Sequence, residues 1–157
     1  MLTLLENVLD RADGTYVSAQ DLRLIEQSLS SWHDRRDAYT AIQVNEGAII
    51  RRALELMQDS DRFAAKPLNN LGVDRCQRDM LLGLRSCALA MLLEDQDLLK
   101  DRILYWQQNI FQAMNLNYQG YKFMWQAMRS VLTEKQAELM KPYLRTAHEL
   151  MSGETVA

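Results

Sequence analysis

The first candidate for chemistry is a thiol that lies beside two charged side chains. The stretch DRCQRDM, residues 74–80, holds one of only two cysteines in the 157-residue chain, and Arg78 and Asp79 closely follow Cys76. On a helix, Cys76 and Asp79 share a face because residues three apart are neighbours. A guanidinium suits carboxylate partners, and an ionised carboxylate accepts N–H groups. The stretch is therefore a candidate ligand-binding site.

The same spacing also occurs on ordinary helices. A buried cysteine is usually a small apolar core residue, and an exposed Arg-Asp pair contributes little stability. The second cysteine, Cys87, is eleven residues from Cys76. That separation corresponds to about 16 Å along an intact helix, which is too far for a disulfide. On spacing alone, an ordinary helix with a core cysteine is the more frequent case.

Helical periodicity runs through almost the whole chain, and no strand alternation of useful length appears. An apolar stripe of Leu2, Leu5, Val8 and Leu9 predicts a short first helix, which ends before Gly14. A capping-box spacing over residues 18–21 predicts the start of a second helix. Further helices are predicted over residues 34–57, 75–95, 97–116, 118–132 and 133–151, the last with a box-like start at Thr133 and with Pro142 inside it.

Two segments are interpreted as irregular. Residues 58–72 contain Pro67, Asn69, Asn70 and Gly72, which are typical of a loop. The stretch HDRRD, residues 33–37, mixes charges of both signs and is interpreted as a solvated turn. The overall prediction is an all-α fold of seven or eight helices in a single domain over residues 1–157.

Composition narrows the class of protein. The chain is 48% hydrophobic and 25% charged, with a net charge of −3, which is the balance of a soluble globular protein. No basic patch suited to nucleic acid is present, and no apolar run is long enough to span a membrane. The N-terminus has no signal-peptide pattern, so we expect a cytoplasmic protein. We find no catalytic dyad, triad or phosphate loop and therefore expect no enzyme.

Residues 74–116 resemble the central helices of the phycobiliprotein family, and allophycocyanin is the nearest type. The family's mark is a cysteine, any residue and Arg-Asp, followed by Leu-Arg, and here it is formed by Cys76, Arg78, Asp79, Leu84 and Arg85. The match continues without a gap through residues 94–95 to AMNL. Upstream, residues 12–50 are similar to the family's first helices, so the resemblance covers essentially the whole chain.

The resemblance implies a globin-like helical core with a two-helix N-terminal extension, residues 1–30, that is used in subunit pairing. It implies a phycocyanobilin-type linear tetrapyrrole, either joined to Cys76 by a thioether or held non-covalently. Asp79 would accept the inner pyrrole N–H groups, and Arg78 would hold a propionate. Arg85 would steady a second propionate or a neighbouring helix. Such a protein would associate with phycobilisomes at the thylakoid surface.

Several positions depart from the family pattern. Leu82 and Gly83 stand where the family usually has two aromatic residues, and Trp106 stands where it usually has a small residue. We expect Trp106 to narrow the pocket or to replace the missing aromatic wall, and Gly83 to leave a notch that admits a flat ligand or another backbone. An aspartate that the family uses at the subunit contact falls at Arg11. These changes indicate a divergent member.

Three functions follow as hypotheses. The first is a bilin-binding protein for light harvesting or, as a divergent relative, for bilin handling during synthesis or delivery. The alternative is a chromophore-free interaction module that pairs with itself or with a phycobiliprotein-type subunit through its N-terminal helices. A haem globin is disfavoured because neither His33 nor His148 lies on helix 97–116. Aromatic and methionine residues near the C-terminus would form core or line the pigment, core being the commoner case (Tyr118, Tyr121, Phe123, Met124, Trp125 and Met128).

Overall fold

The computed structural model describes residues 1–60, 70–116 and 118–153, and most of these residues lie in helices. The described residues contain no strand, which confirms the all-α prediction. Among them, no helix is both long and apolar enough to cross a bilayer. The elements in chain order are α1 (Leu2–Arg11), α2 (Ala19–Ser30), α3 (Trp32–Gln58), α4 (Asn70–Leu93), α5 (Gln96–Leu99), a π-helical turn (Lys100–Leu104), α6 (Tyr105–Ala113), α7 (Gly120–Val131) and α8 (Glu134–Ser152).

Side-chain caps fix two helix starts where the sequence predicts them. Ser18 accepts a hydrogen bond from the Asp21 backbone N–H at the start of α2. At the start of α8, Thr133 and Gln136 form a reciprocal capping box. Both interactions satisfy backbone donors that the first turn of a helix leaves without an intrahelical partner. The predicted starts of α2 and α8 are therefore confirmed.

The core lies where α3, α4, α7 and α8 pack against one another. Each of these helices buries one apolar stripe, as the 3.6-residue period requires. Cys87 is part of this core and is fully buried, which fits a small apolar packing residue. The largest wholly buried side chains are Ile49, Ile50, Met80, Leu84, Met91, Leu99, Leu104, Tyr121, Met124, Met128, Met140 and Leu144.

The interpretation of residues 33–37 as a solvated turn was wrong, because they lie inside α3. Arg35 is buried, and its guanidinium donates to the backbone carbonyls of Ser28 and Leu92. These carbonyls lie in the last turns of α2 and α4, where no intrahelical donor reaches them. The Arg35 guanidinium therefore caps the C-terminal ends of α2 and α4, and its positive charge interacts favourably with both helix dipoles.

The helix that carries Cys76 starts earlier than predicted. Asn70 and Gly72 were interpreted as loop residues, but both belong to α4. Asparagine and glycine cost at most about 1 kcal/mol in a helix, and the apolar packing of the following turns outweighs that cost. Pro67 and Asn69 lie outside the described residues.

The helix predicted over residues 97–116 is divided. Asp95 caps the start of α5 by accepting from the Leu98 backbone N–H, and the π-helical turn follows before α6. The helix ends at Ala113 because Asn115 adopts a left-handed conformation (φ 52°). Leu116 N–H then donates to the Phe111 carbonyl at 2.8 Å, as in a Schellman motif. This turn returns the chain toward α4.

Candidate ligand-binding cavity

A cavity of about 740 Å³ lies between the first half of α4 and the α6–α7 connection. Its volume is within the range of about 300–1,000 Å³ that is typical of small-molecule sites. Cys76, Arg78, Asp79 and Trp106, four of the seven predicted site residues, line it. The remaining lining residues are Met57, Gly72, Arg75, Gln107, Ile110, Phe111, Met114, Leu116, Tyr118 and Gln119.

The Cys76 thiol is half-buried in the cavity wall. Its Sγ lies 3.7 Å from the Met57 Sδ, and both cysteines of the chain are free thiols. Burial raises the pKa of the Cys76 thiol to about 11, and the nearby Asp79 charge adds to this effect. The thiol is therefore protonated at neutral pH and is a slow nucleophile.

The Asp79 carboxyl lies one helical turn after Cys76 and is partly buried. Burial raises its pKa above the ordinary value, and the positive charge of Arg78 opposes this shift. Within the described part of the chain, Asp79 has no hydrogen bond and no ion pair. An acceptor with free lone pairs therefore faces a ligand-sized space.

Arg78 and Arg75 are exposed on the same helix and place positive charge at the edge of the cavity. Arg78 donates a long hydrogen bond, 3.4 Å, to the Asp74 backbone carbonyl. Its guanidinium otherwise remains available, because a backbone contact through Nε leaves the terminal nitrogens as donors. The edge of the cavity is thus suited to anionic groups.

The wall opposite α4 is aromatic. Tyr118 stacks on Phe111 with a centroid separation of 4.7 Å and meets the edge of Tyr121 at 5.6 Å. Tyr121 is fully buried, and its hydroxyl donates to the Gln107 side-chain oxygen at 2.6 Å. This hydrogen bond leaves the Gln107 amide nitrogen as a donor on the cavity lining.

Gly83 does not line this cavity, and a neighbouring side chain fills its notch. A Cβ atom placed there would lie 2.8 Å from both the Cε1 and the Oη of Tyr121. Such contacts are too close for real Cβ atoms, so glycine lets the Tyr121 ring pack directly on the backbone of α4. The predicted close approach exists, but an aromatic side chain makes it.

Leu82 and Arg85 point toward a second cavity of about 480 Å³, and Trp106 lines both cavities. The Arg85 guanidinium forms a bidentate ion pair with Glu46 of α3, with both distances 2.7 Å. This pair lowers the pKa of Glu46 and raises that of Arg85. Of the two roles expected for Arg85, the structure places it against a neighbouring helix.

Sequence reasoning missed five polar or sulfur-containing lining residues, namely Met57, Arg75, Gln107, Met114 and Gln119. Arg75 directly precedes Cys76, so its charge was visible in the sequence, but its position at the cavity edge was not. Gln107 and Phe111 are the buried residues of α6, and burial of a polar side chain is the signal that marks such positions. Met57 joins the site only through the packing of α3 on α4.

The fold first defines a class, an all-α protein with a globin-like core and a ligand-sized cavity. The family model described as "Phycobilisome protein" matches residues 8–151. Because this match spans most of the chain, the chain belongs to the phycobilisome protein family. No curated protein matches the chain.

Membership of the family indicates what proteins of this kind generally do. Phycobilisome proteins typically carry bilin chromophores and assemble with other subunits, and they are generally structural or light-harvesting proteins rather than enzymes. Within the described residues, no group of three or more histidine, cysteine or carboxylate side chains is arranged to hold a metal ion.

Proposed function

We propose that the chain binds a linear tetrapyrrole in the cavity formed by α4, α6 and the α6–α7 connection. The observation that carries this proposal is the distribution of polar groups. The partly buried Asp79 acceptor has no protein partner among the described residues, whereas the exposed Arg75 and Arg78 lie at the edge. Apolar and aromatic side chains line most of the remaining surface.

The donor set fits a bilin. The inner N–H groups of a tetrapyrrole need an acceptor, which Asp79 supplies. The propionates need cations near solvent, which Arg78 and Arg75 supply. The flat conjugated system suits a wall that contains Phe111 and Tyr118. When bound, the pigment would supply the visible absorption of the protein.

Asp79 would be the counter-ion of this site. Its carboxylate is costly to keep charged while it is partly desolvated, and the raised pKa reflects that cost. A cationic group with N–H donors would offset the cost by pairing with the charge. We therefore expect Asp79→Asn to stabilise the protein alone while it weakens bilin binding.

Cys76 would be the point of covalent attachment. Thioether formation by addition of the thiol to an exocyclic double bond needs no oxidant, since the sulfur bonds to one carbon and the thiol proton ends on another. With a pKa of about 11, only about one thiol in ten thousand is ionised at pH 7. This supports slow attachment, so non-covalent binding would come first.

The finer role would be light harvesting within thylakoid-surface phycobilisomes, or bilin handling in synthesis or delivery. Trp106 favours handling, because it is 56% exposed and borders both cavities. A side chain this exposed does not close over the cavity, so a bound ligand would stay partly open to solvent. A chromophore-free interaction module would leave the Asp79 carboxylate with no function.

Titration of the purified protein with biliverdin tests the proposal. We expect a saturable change in visible absorption at one equivalent, and a weaker affinity in Asp79→Asn by at least about tenfold, as for lost charge-assisted hydrogen bonds. Asp97→Asn is the matched control, since Asp97 is an exposed acid away from the cavity. Absence of saturable binding by the wild type would refute the proposal.

We also propose that α1 and α2 pair with a second copy of the chain or with a phycobiliprotein-type subunit. Leu9, Leu22 and Leu29 are each more than half exposed on these helices, and exposed apolar patches mark association surfaces. Arg11, which stands at the family's aspartate position, forms an ion pair with Asp21 of the same chain at 2.5 Å. Arg11 would then be held within its own chain and would not take the place of the family's aspartate at the subunit contact.

Size-exclusion chromatography with light-scattering detection tests this pairing by measuring the molar mass in solution. We expect wild type to elute as a dimer and Leu9→Lys with Leu29→Lys to elute as a monomer. Val44→Lys is a suitable control, because Val44 is an apolar residue on α3 that is even more exposed than Leu9 and Leu29. A wild-type monomer that also fails to bind a phycobiliprotein subunit would refute the pairing.

A further inference from the structure

One polar group in the cavity wall makes no hydrogen bond within the described part of the protein. The hydroxyl oxygen of Tyr118 is buried and has no hydrogen-bond partner among the described residues. Buried polar groups are nearly always hydrogen-bonded, because an unmade bond costs free energy. An exception in a cavity wall therefore calls for an explanation.

The packing of Tyr118 needs the ring but not the hydroxyl. The ring stacks on Phe111 and meets the edge of Tyr121. A Cβ atom at position 120 would lie 2.3 Å from the Tyr118 Cζ and Oη, so Gly120 provides the space for this ring. Phenylalanine would make the same ring contacts without burying an unpaired oxygen, so the hydroxyl has no packing role.

We propose that Tyr118 is a ligand-specificity residue, whose hydroxyl donates a hydrogen bond to a neutral carbonyl oxygen of the molecule bound in the cavity. This inference rests on the proposed function, and it names the ligand group as a terminal-ring carbonyl of a linear tetrapyrrole. The propionates would instead lie at the exposed edge, near Arg75 and Arg78.

The surroundings of the hydroxyl select this chemistry. Burial raises the pKa of Tyr118 well above its ordinary value, and Cys76 and Asp79 raise it further when they are ionised. The phenol therefore stays protonated and acts as a donor. A ligand carboxylate at this position would meet the Asp79 charge, whereas a carbonyl oxygen accepts the bond without bringing a second negative charge.

A small rearrangement is needed to reach the oxygen, since Tyr118 lines the cavity while its Oη is buried. Met57 and Met114 line the same cavity. Methionine side chains are unbranched and adjust to a ligand at small cost. Ligand entry would thus uncover the hydroxyl and supply its missing partner.

Tyr118→Phe tests the proposal, with Tyr105→Phe as the control because Tyr105 is exposed on α6 and does not line the cavity. We expect biliverdin to bind Tyr118→Phe about tenfold more weakly than wild type, the size of one hydrogen bond. The carbonyl stretching band of the bound biliverdin should move to higher wavenumber in Tyr118→Phe only. The thermal midpoint of the protein alone should stay the same or rise.

Each contrary outcome is distinct. An affinity within about twofold of wild type together with an unmoved carbonyl band would overturn the Tyr118 proposal and leave bilin binding intact. A lower thermal midpoint of the unliganded Tyr118→Phe protein would give the hydroxyl a folding role and would also overturn it. If wild type itself bound no biliverdin, both this proposal and the proposed function would fail.

Discussion

Gly83→Ala is the substitution whose effect the structure fixes most closely. In most helix interiors, replacing glycine by alanine stabilises a protein by about 0.5–1 kcal/mol. At position 83 the new Cβ would meet the Cε1 and Oη atoms of the buried Tyr121 side chain at 2.8 Å and its Cζ at 3.0 Å. Overpacking of this kind costs about 1–3 kcal/mol. The net expectation is a loss of about 1–2 kcal/mol in the free energy of unfolding.

The matched control is Gly47→Ala, on an open part of α3 where no atom outside the helix lies within 4 Å of the added Cβ. Its free energy of unfolding should rise by about 0.5–1 kcal/mol, because alanine has the higher helix propensity. Urea unfolding followed by far-UV circular dichroism measures both variants. A gain of stability in Gly83→Ala equal to that in Gly47→Ala would refute the assignment of the Gly83 notch to Tyr121.

Gly83→Ala made in the Tyr121→Phe protein separates the effects of the two closest contacts. Tyr121→Phe removes the Oη contact but keeps Cε1 at 2.8 Å from the new Cβ. Gly83→Ala should therefore be less destabilising in the Tyr121→Phe background, but not neutral. Tyr121→Phe alone should cost about 1 kcal/mol, because it breaks the hydrogen bond to Gln107. Full additivity of the two substitutions would show that the Tyr121 hydroxyl does not contact position 83.

Three further outcomes are expected. Arg78→Gln should weaken biliverdin binding about three- to tenfold. Arg85→Gln should change the affinity less than about twofold, because Arg85 is already paired with Glu46. Titration of both variants with biliverdin measures the difference. Burial raises the pKa of Asp95, but hydrogen bonds from Thr3 and Leu98 outweigh it and lower the pKa. Its stabilisation is thus present above the ordinary Asp range and lost as pH falls through the lowered value. Both carboxylate oxygens of Asp95 accept hydrogen bonds from Thr3 or Leu98, and an amide nitrogen cannot accept them. Asp95→Asn should therefore cost about 1–2 kcal/mol at neutral pH and less in acid, as urea unfolding at several pH values will show. With a Cys76 pKa of about 11, covalent attachment should accelerate about tenfold per pH unit above neutrality, and a flat pH profile would contradict this.

The helices were largely predictable because their signals are local. The capping residues Ser18 and Thr133 and the apolar periods of α3 and α8 are visible in the sequence without tertiary information. The wrong predictions concern residues whose surroundings depend on tertiary contacts. Arg35 looked like a surface charge in a mixed-sign stretch, but the carbonyl ends of α2 and α4 converge on it. No local pattern can indicate that convergence.

The site was predictable in part for the same reason. Cys76, Arg78 and Asp79 are close in sequence, so one helix turn brings them together, and the resemblance to phycobiliproteins drew attention to them. Gly83 and Arg85 also follow the motif, but their partners Tyr121 and Glu46 come from other helices. The role of Tyr118 depends on burial and on a missing partner, which only the fold reveals.

The central claim is that this cavity holds a bilin next to Cys76. Its most direct test is co-expression of the chain with a phycocyanobilin-producing pathway, followed by absorption spectra before and after acid–urea denaturation. We expect a visible band on the native protein that Asp79→Asn shifts or bleaches. Any part of the band that survives denaturation should vanish in Cys76→Ser. A colourless wild-type protein, or colour that is indifferent to both substitutions, would contradict the account.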